Sequence, residues 1–210
     1  MAYDLQEQDQ LDAFRAFWKQ YGNIILLALT IVLLAVGGWR GWTAWQQRQA
    51  TAAAGLYAQL EEAVRAKNLD RLKEASQTLT DQYGRTVYGG MAALLAARSH
   101  VDAGDATAAK SALKWAVERA SEPEIKLLAR LRLAGLLLDE KAYDDGIALL
   151  TGVQAGAFEP LFADRRGDLL QASGRTEDAR SAYRAALERL EPNAALRPWV
   201  QIKLDALGGV

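Results

Sequence analysis

Few residues of this 210-residue chain have the types and spacing that chemistry requires. Its one histidine, His100, has no second histidine with which to share a metal, and no cysteine is present for thiolate ligation, disulfides or nucleophilic attack. No serine stands in an evident partnership with His100 and an aspartate. The adjacent carboxylates Glu61-Glu62 and Asp144-Asp145 could do general acid–base work only by converging on one substrate. Neighbours on a helix diverge by about 100°, so solvated helix faces account for both pairs. Gly89-Gly90 lacks the further glycines and the lysine of a phosphate-cradling loop and reads as a turn. Asp164-Arg165-Arg166-Gly167-Asp168 is the densest charge cluster, and its alternating signs suit ion pairing along a helix better than a phosphate patch. The sequence thus offers no catalytic residue, no metal ligand and no cofactor site, and a protein that is not an enzyme is expected.

What holds these residues is more informative. Lys+Arg totals 25 against 26 for Asp+Glu, a formal net charge of -1, which removes the case for a nucleic-acid partner. Hydrophobic residues make up 50% and charged residues 24%, the values of an ordinary soluble domain. The average conceals a segregated run. No charge occurs from Gln20 to Trp39, and the centre from Ile24 to Val36 has Thr30 as its one polar residue. About 20 helical residues at a rise of 1.5 Å span a hydrocarbon layer of roughly 30 Å. The expected transmembrane core is Ile24, Ile25, Leu26, Leu27, Leu29, Ile31, Val32, Leu33, Leu34 and Val36, and Trp18, Tyr21, Trp39, Trp42 and Trp45 flank it as an interfacial belt. A cleaved signal peptide would begin basic, whereas Asp4, Glu7, Asp9 and Asp12 outnumber Arg15 and Lys19, so an uncleaved anchor is expected. The charge rule does not orient it: Arg15 and Lys19 on one side balance Arg40 and Arg48 on the other. Gly37 and Gly41 have the spacing that lets another helix approach, though at the interfacial end of a span local packing or a flexible exit explains them better. The expected organisation is a leader over 1–19, a transmembrane helix over 20–43 and a repeat domain over 44–210.

From Ala44 onward the chain is rich in alanine, leucine, arginine and glutamate and lacks β-branched runs, which predicts helix after helix. Short breaks fall at 67–68, 84, 103–105, 121–123, 141–143, 173–175 and 191–193. Aligning them puts Ala75, Ala109, Gly146 and Ala179 in register, with the large residues Leu79, Leu113, Leu150 and Tyr183 four positions later. Ala63, Ala97, Ala134 and Gly167, twelve positions earlier, are always small. The next register position holds Ala66, His100, Leu137 and Leu170, so His100 reads as a core residue of the repeat. A small residue lets paired helices approach and a large one fills the gap, the arrangement of a tetratricopeptide-like solenoid with a period near 34. The fold expected is all-α, with about four helix pairs and a capping helix from about Ala194 to Leu207. That helix would cover the apolar end of the stack with Trp199, Val200, Ile202 and Leu207.

A solenoid of helix pairs works by surface, and the first helix of each pair lines its groove. By repeat register the candidate groove residues are Arg98, Asp102, Asp139, Asp164, Asp168 and Gln171, a mixture of signs with an acidic bias. A clamp for a C-terminal carboxylate needs Lys, Arg and Asn where this chain has Leu94, Leu131, Gly135 and Asp164, so that mode is not expected. Proteins and membrane lipid are the expected partners, not a small-molecule substrate.

The chain resembles a known family, the YfgM-like ancillary subunits of the bacterial SecYEG translocon. The likeness is carried by Glu7-Gln8-Asp9-Gln10, by Phe17 with Tyr21-Gly22, by Gly38-Trp39-Arg40-Gly41-Trp42, by Ala163-Asp164-Arg165-Arg166-Gly167-Asp168 and by Ala179-Arg180-Ser181-Ala182. It implies a single-span protein of the bacterial inner membrane, with the N-terminus cytoplasmic and the repeat domain periplasmic. It further implies association with the translocon and with a periplasmic chaperone of the PpiD kind, and a part in handing over translocated proteins. The alternative left by the residues themselves is a structural assembly subunit of another cell-envelope complex.

Overall fold

The computed structural model describes residues 2–208, with side chains from Leu11 onward except at positions 12 and 13. The acidic leader carboxylates Asp4, Glu7, Asp9 and Asp12, and the Glu7-Gln8-Asp9-Gln10 motif, lie outside the described side chains. The described elements are helices: α1 (Ala2–Arg65), α2 (Leu69–Gln82), α3 (Val87–Asp102), α4 (Ala106–Arg119), α5 (Pro123–Asp139), α6 (Tyr143–Leu150), a 3-10 turn (Gly156–Phe158), α7 (Glu159–Ala172), α8 (Thr176–Arg189) and α9 (Arg197–Ala206). No strand occurs among the described residues, and the all-α class expected is the one adopted. The chain divides into two compact units between Gln49 and Ala50.

In the first unit, α1 carries the apolar run as uninterrupted helix. Thr30, the polar residue at its centre, turns its hydroxyl back to donate to the Leu26 carbonyl at 2.8 Å, so it leaves no unmet donor on an apolar surface. Trp18 lies across Gly22 one turn on: a Cβ there would meet the indole at 3.2 Å.

The second unit is a stack of pairs. The end of α1 packs with α2 around Leu60, Ala63, Leu72 and Leu79. α3 then pairs with α4, α5 with α6 and α7 with α8, α9 closes on α8, and the leading helices α3, α5 and α7 also touch one another. The turn inside each pair is built the same way. Lys67, Gly104, Lys141 and Gly174 take left-handed φ of 52°, 79°, 62° and 83°. Asn68, Asp105, Ala142 and Arg175 follow them, and their N–H groups bond back to Ala63, His100, Leu137 and Leu170 at 2.8–2.9 Å. This is the hydrogen-bonding pattern that ends a helix on a left-handed residue, where glycine is unstrained and lysine is not. Asn68 and Asp105 then cap the following helix, accepting from the N–H groups of Arg71 and Ala108.

The repeat register reappears as packing. Ala63, Ala97, Ala134 and Gly167 are buried, and so are Leu79, Leu113, Leu150 and Tyr183. At the last pair the complementarity is tightest: a Cβ on Gly167 would stand 2.5 Å from the Tyr183 ring. A Cβ on Gly146 would stand 2.8 Å from Leu169. Helix backbones approach closely where the residue is small, and the large partner fills the space that remains.

Three expectations are corrected. Gly89-Gly90 is no turn but the first part of α3, where a Cβ on Gly90 would press on Ile125 and Ala120 at 3.0–3.1 Å; the pair permits a close helix start. A further break, Thr151–Ala155 with the 3-10 turn after it, separates α6 from α7, because α6 stops after 8 residues. The cap begins at Arg197, and its inward face is Val200, Leu204 and Leu207, packed on Tyr183, Ala186 and Leu170. Trp199 and Ile202 point outward, 66% and 60% exposed.

Candidate functional site

Two surfaces come from this fold, one apolar and one charged. The apolar one belongs to the first unit. Over its most apolar 18 residues α1 reaches a mean hydropathy of 2.1, and 6% of that window is buried by protein. Ile24, Ile25, Leu26, Leu27, Leu29, Ile31, Val32, Leu33, Leu34 and Val36 are all exposed, Ile24 by 64% and Leu34 by 71%. α1 is the one described helix long and apolar enough to cross a membrane. Trp18, Tyr21, Trp39, Trp42 and Trp45 are exposed as well. Trp18 and Trp39 stand 21 residues apart, about 32 Å along a helix, which is roughly the thickness of a hydrocarbon layer. Neighbouring rings lean together, Phe17 on Tyr21 at 5.1 Å and Trp42 on Trp45 at 5.3 Å. Around Gly37 and Gly41 nothing lies within 4 Å of a Cβ position.

The charged surface runs across the leading helices of the second unit. Arg98 and Asp102 pair one turn apart on α3, with the Arg98 Nε donating at 3.0 Å to both carboxylate oxygens. Asp139 is exposed at the end of α5. Asp164, Asp168 and Gln171 are gathered elsewhere: they join α7 to α8 and α9. Lys203 of α9 places its Nζ 2.7 Å from an oxygen of each aspartate. The Tyr183 hydroxyl lies 2.9 Å from both Asp168 Oδ1 and Gln171 Oε1. Lys203 also stands over the Tyr183 ring, 5.7 Å from its centroid. Asp164 is buried, and burial is the main cause that raises its pKa, with Asp168 adding to it; the Lys203 hydrogen bond and the charges of Lys203 and Arg165 oppose the rise. Burial first, then the Asp168 charge, also hold the Tyr183 phenol in its neutral form. These aspartates fasten the capping helix, and the acidic bias read from the sequence is largely spent inside the fold.

Three side chains of this surface escaped the sequence reading, Arg132, Tyr183 in its polar role and Lys203, while Arg165 pairs along its helix with Asp168 at 3.7 Å as its charge cluster implied. Arg132 and Arg165 stand two residues before the small positions Ala134 and Gly167. Each reaches back over the preceding leading helix. Arg132 Nη1 donates to the Leu94 carbonyl at 3.3 Å. The Arg165 guanidinium lies 3.8 Å from where a Cβ on Gly135 would be. The 33-residue spacing of the two arginines was the available signal. His100 is half-buried as its register position implies, with Nδ1 3.9 Å from an Asp105 oxygen.

Four helix pairs with like turns, a fastened cap and a leading helix of membrane-spanning length define the class: a tetratricopeptide-like α-solenoid with one candidate membrane span. A family model described as tetratricopeptide repeat-like domain matches residues 15–209. A Neisseria gonorrhoeae (strain ATCC 700825 / FA 1090) protein named ancillary SecYEG translocon subunit is 32% identical over 211 residues, spanning 99% of this chain and 100% of the relative. Relatives of that name in Escherichia coli (strain K12) and Haemophilus influenzae are each 26% identical, the former over 96% of both chains, the latter over 89% of this chain and 91% of its own. The chain belongs to this family of tetratricopeptide repeat-like ancillary SecYEG translocon subunits, the YfgM family.

Proposed function

We propose that this chain is a non-enzymatic scaffold of the bacterial inner membrane, held beside the SecYEG translocon by a single span over residues 20–43. Residues 1–19 lie in the cytoplasm and residues 44–210 form the periplasmic domain. There the solenoid binds a membrane-anchored periplasmic chaperone of the PpiD kind and helps pass on chains that emerge from the translocon. The observation that carries this reading is the end-to-end likeness to the Neisseria gonorrhoeae relative, which extends through the apolar run as well as the repeats. Exposed apolar residues and aromatic rings at both edges of α1 support the span. Confining the solenoid and a second membrane protein to one bilayer raises their effective concentration, so a transient contact suffices.

Site-specific photo-crosslinking in intact membranes tests it. A probe at Trp42 is expected to capture translocon subunits, and probes at Arg98 and Asp139 a periplasmic chaperone. Capture of neither would remove the reading. Recovery of one fixed partner in stoichiometric amounts that persist at high salt would instead support an assembly subunit of another envelope complex.

A further inference from the structure

We propose that the solenoid recognises its protein partner through one aspartate or glutamate side chain, seated over Gly135 of α5 against the Arg165 guanidinium and one helical turn from Arg132. This inference rests on the scaffold reading and names the chemistry of its partner.

The repeat itself shows what is missing. On α7, Arg165 has a carboxylate three residues on, Asp168, at 3.7 Å. Arg132 is the equivalent residue on α5, and three residues on from it stands Gly135, which has no side chain. A Cβ at Gly135 meets atoms of Arg165 alone, at 3.8 Å, so the place of the absent carboxylate is open and one of its walls is already a guanidinium. The Arg165 Nε is buried without a hydrogen-bond partner among the described residues.

The charges beside it point the same way. Arg98 is answered by Asp102. Arg132 has no carboxylate partner among the described residues, and its hydrogen bond goes to a backbone carbonyl. Partial burial, and then the like charge of Arg98, disfavour its charged form. An arginine does not discharge at neutral pH, so an incoming anion relieves that cost. Bidentate arginine–carboxylate geometry makes such a contact directional as well as attractive. A side-chain carboxylate fits better than a phosphate of a lipid surface, because Asp139 stands one helical turn on from Gly135 along α5 and disfavours a doubly charged group. Asp168, in the equivalent position of the next pair, is the chain's own example of the occupant.

The test uses the full chain in native membranes. Arg132→Lys places a primary amine at the site, and a zero-length carbodiimide reagent then joins that amine to any carboxylate in contact, to be located by mass spectrometry. The expected product links position 132 to an aspartate or glutamate of another protein. Gly135→Asp supplies the carboxylate in cis where there is room for it. It is expected to lower recovery of that protein about tenfold, as is the charge reversal Arg132→Glu, while the solenoid keeps its helicity and melting temperature. Photo-crosslinks from Trp42 to translocon subunits remain in both variants, so loss of this contact is told apart from failure of the scaffold reading. Conjugates confined to Asp102 or Asp139 of the same chain, adducts with lipid only, or partner recovery unchanged by Gly135→Asp each overturn the proposal.

Discussion

The two units are built from one material, alanine- and leucine-rich helix, and they treat it in opposite ways. In the first, Leu33 and Leu34 are 63% and 71% exposed. In the second, Leu79 and Leu113 are buried because helices that carry alanine or glycine at the matching register come close enough to cover them. Apolar content alone therefore does not decide whether a helix belongs to a core. What decides is whether the sequence supplies a complementary small position about half a repeat away. The solenoid supplies it four times. Among the described residues the apolar run of α1 has no such counterpart, and its length and composition are those of a helix that can cross a lipid layer.

This contrast can be broken most strongly at Tyr183. Tyr183→Ala, which empties the space beside Gly167 and frees Asp168 and Gln171, is expected to lower solenoid stability by about 4 kcal/mol in denaturant melts. Leu33→Ala, an apolar truncation at an exposed position, is expected to leave the same melt within about 0.5 kcal/mol. Equal losses would mean that the run of α1 is a core helix. Next in size is a charge in the run. Leu29→Arg is expected to cost about 3 kcal/mol of membrane insertion, read as the fraction of chain extracted by alkali, with no change in helix content of the solenoid.

Much of this division was legible beforehand. Ala97 with Leu113, and Gly167 with Tyr183, announce the pairs because sizes at a fixed spacing survive in the sequence whatever the detailed geometry. The apolar run was legible because the absence of charge over twenty positions needs no geometry at all. What escaped depends on phase between elements. The rotation of α9, set by its start at Arg197, decides that Val200 goes in and Trp199 out. Whether Arg132 looks to solvent or back over α3 depends on the tilt between leading helices, which no single helix encodes. The burial of Asp164 follows from the arrival of Lys203 from 39 residues away.

Two smaller effects sharpen the comparison within the solenoid. Lys141 ends α5 with a left-handed backbone, the place that Gly104 and Gly174 fill in other pairs. Lys141→Gly is expected to raise stability by about 1 kcal/mol, whereas Gly38→Ala in the apolar run, where a Cβ meets nothing, leaves the solenoid melt unchanged. The pH dependence is the smallest effect. Because burial raises the Asp164 pKa above its unfolded value, the folded chain binds this proton first, and the residue's contribution to stability rises as pH falls through the raised value. Urea midpoints measured from neutral pH downward are expected to move in favour of the parent chain relative to Asp164→Asn. A gap that narrows on acidification would show that Lys203, not burial, sets the titration of Asp164.

The most direct measurement places a pair of topology reporters after Val210, alkaline phosphatase in one fusion and a fluorescent protein that matures only in the cytoplasm in the other. A single span with a periplasmic solenoid predicts active phosphatase, a dark fluorescent fusion, and membrane fractions that keep both fusions after carbonate washing. Bright fluorescence with inactive phosphatase would put the solenoid on the cytoplasmic side and contradict the periplasmic scaffold.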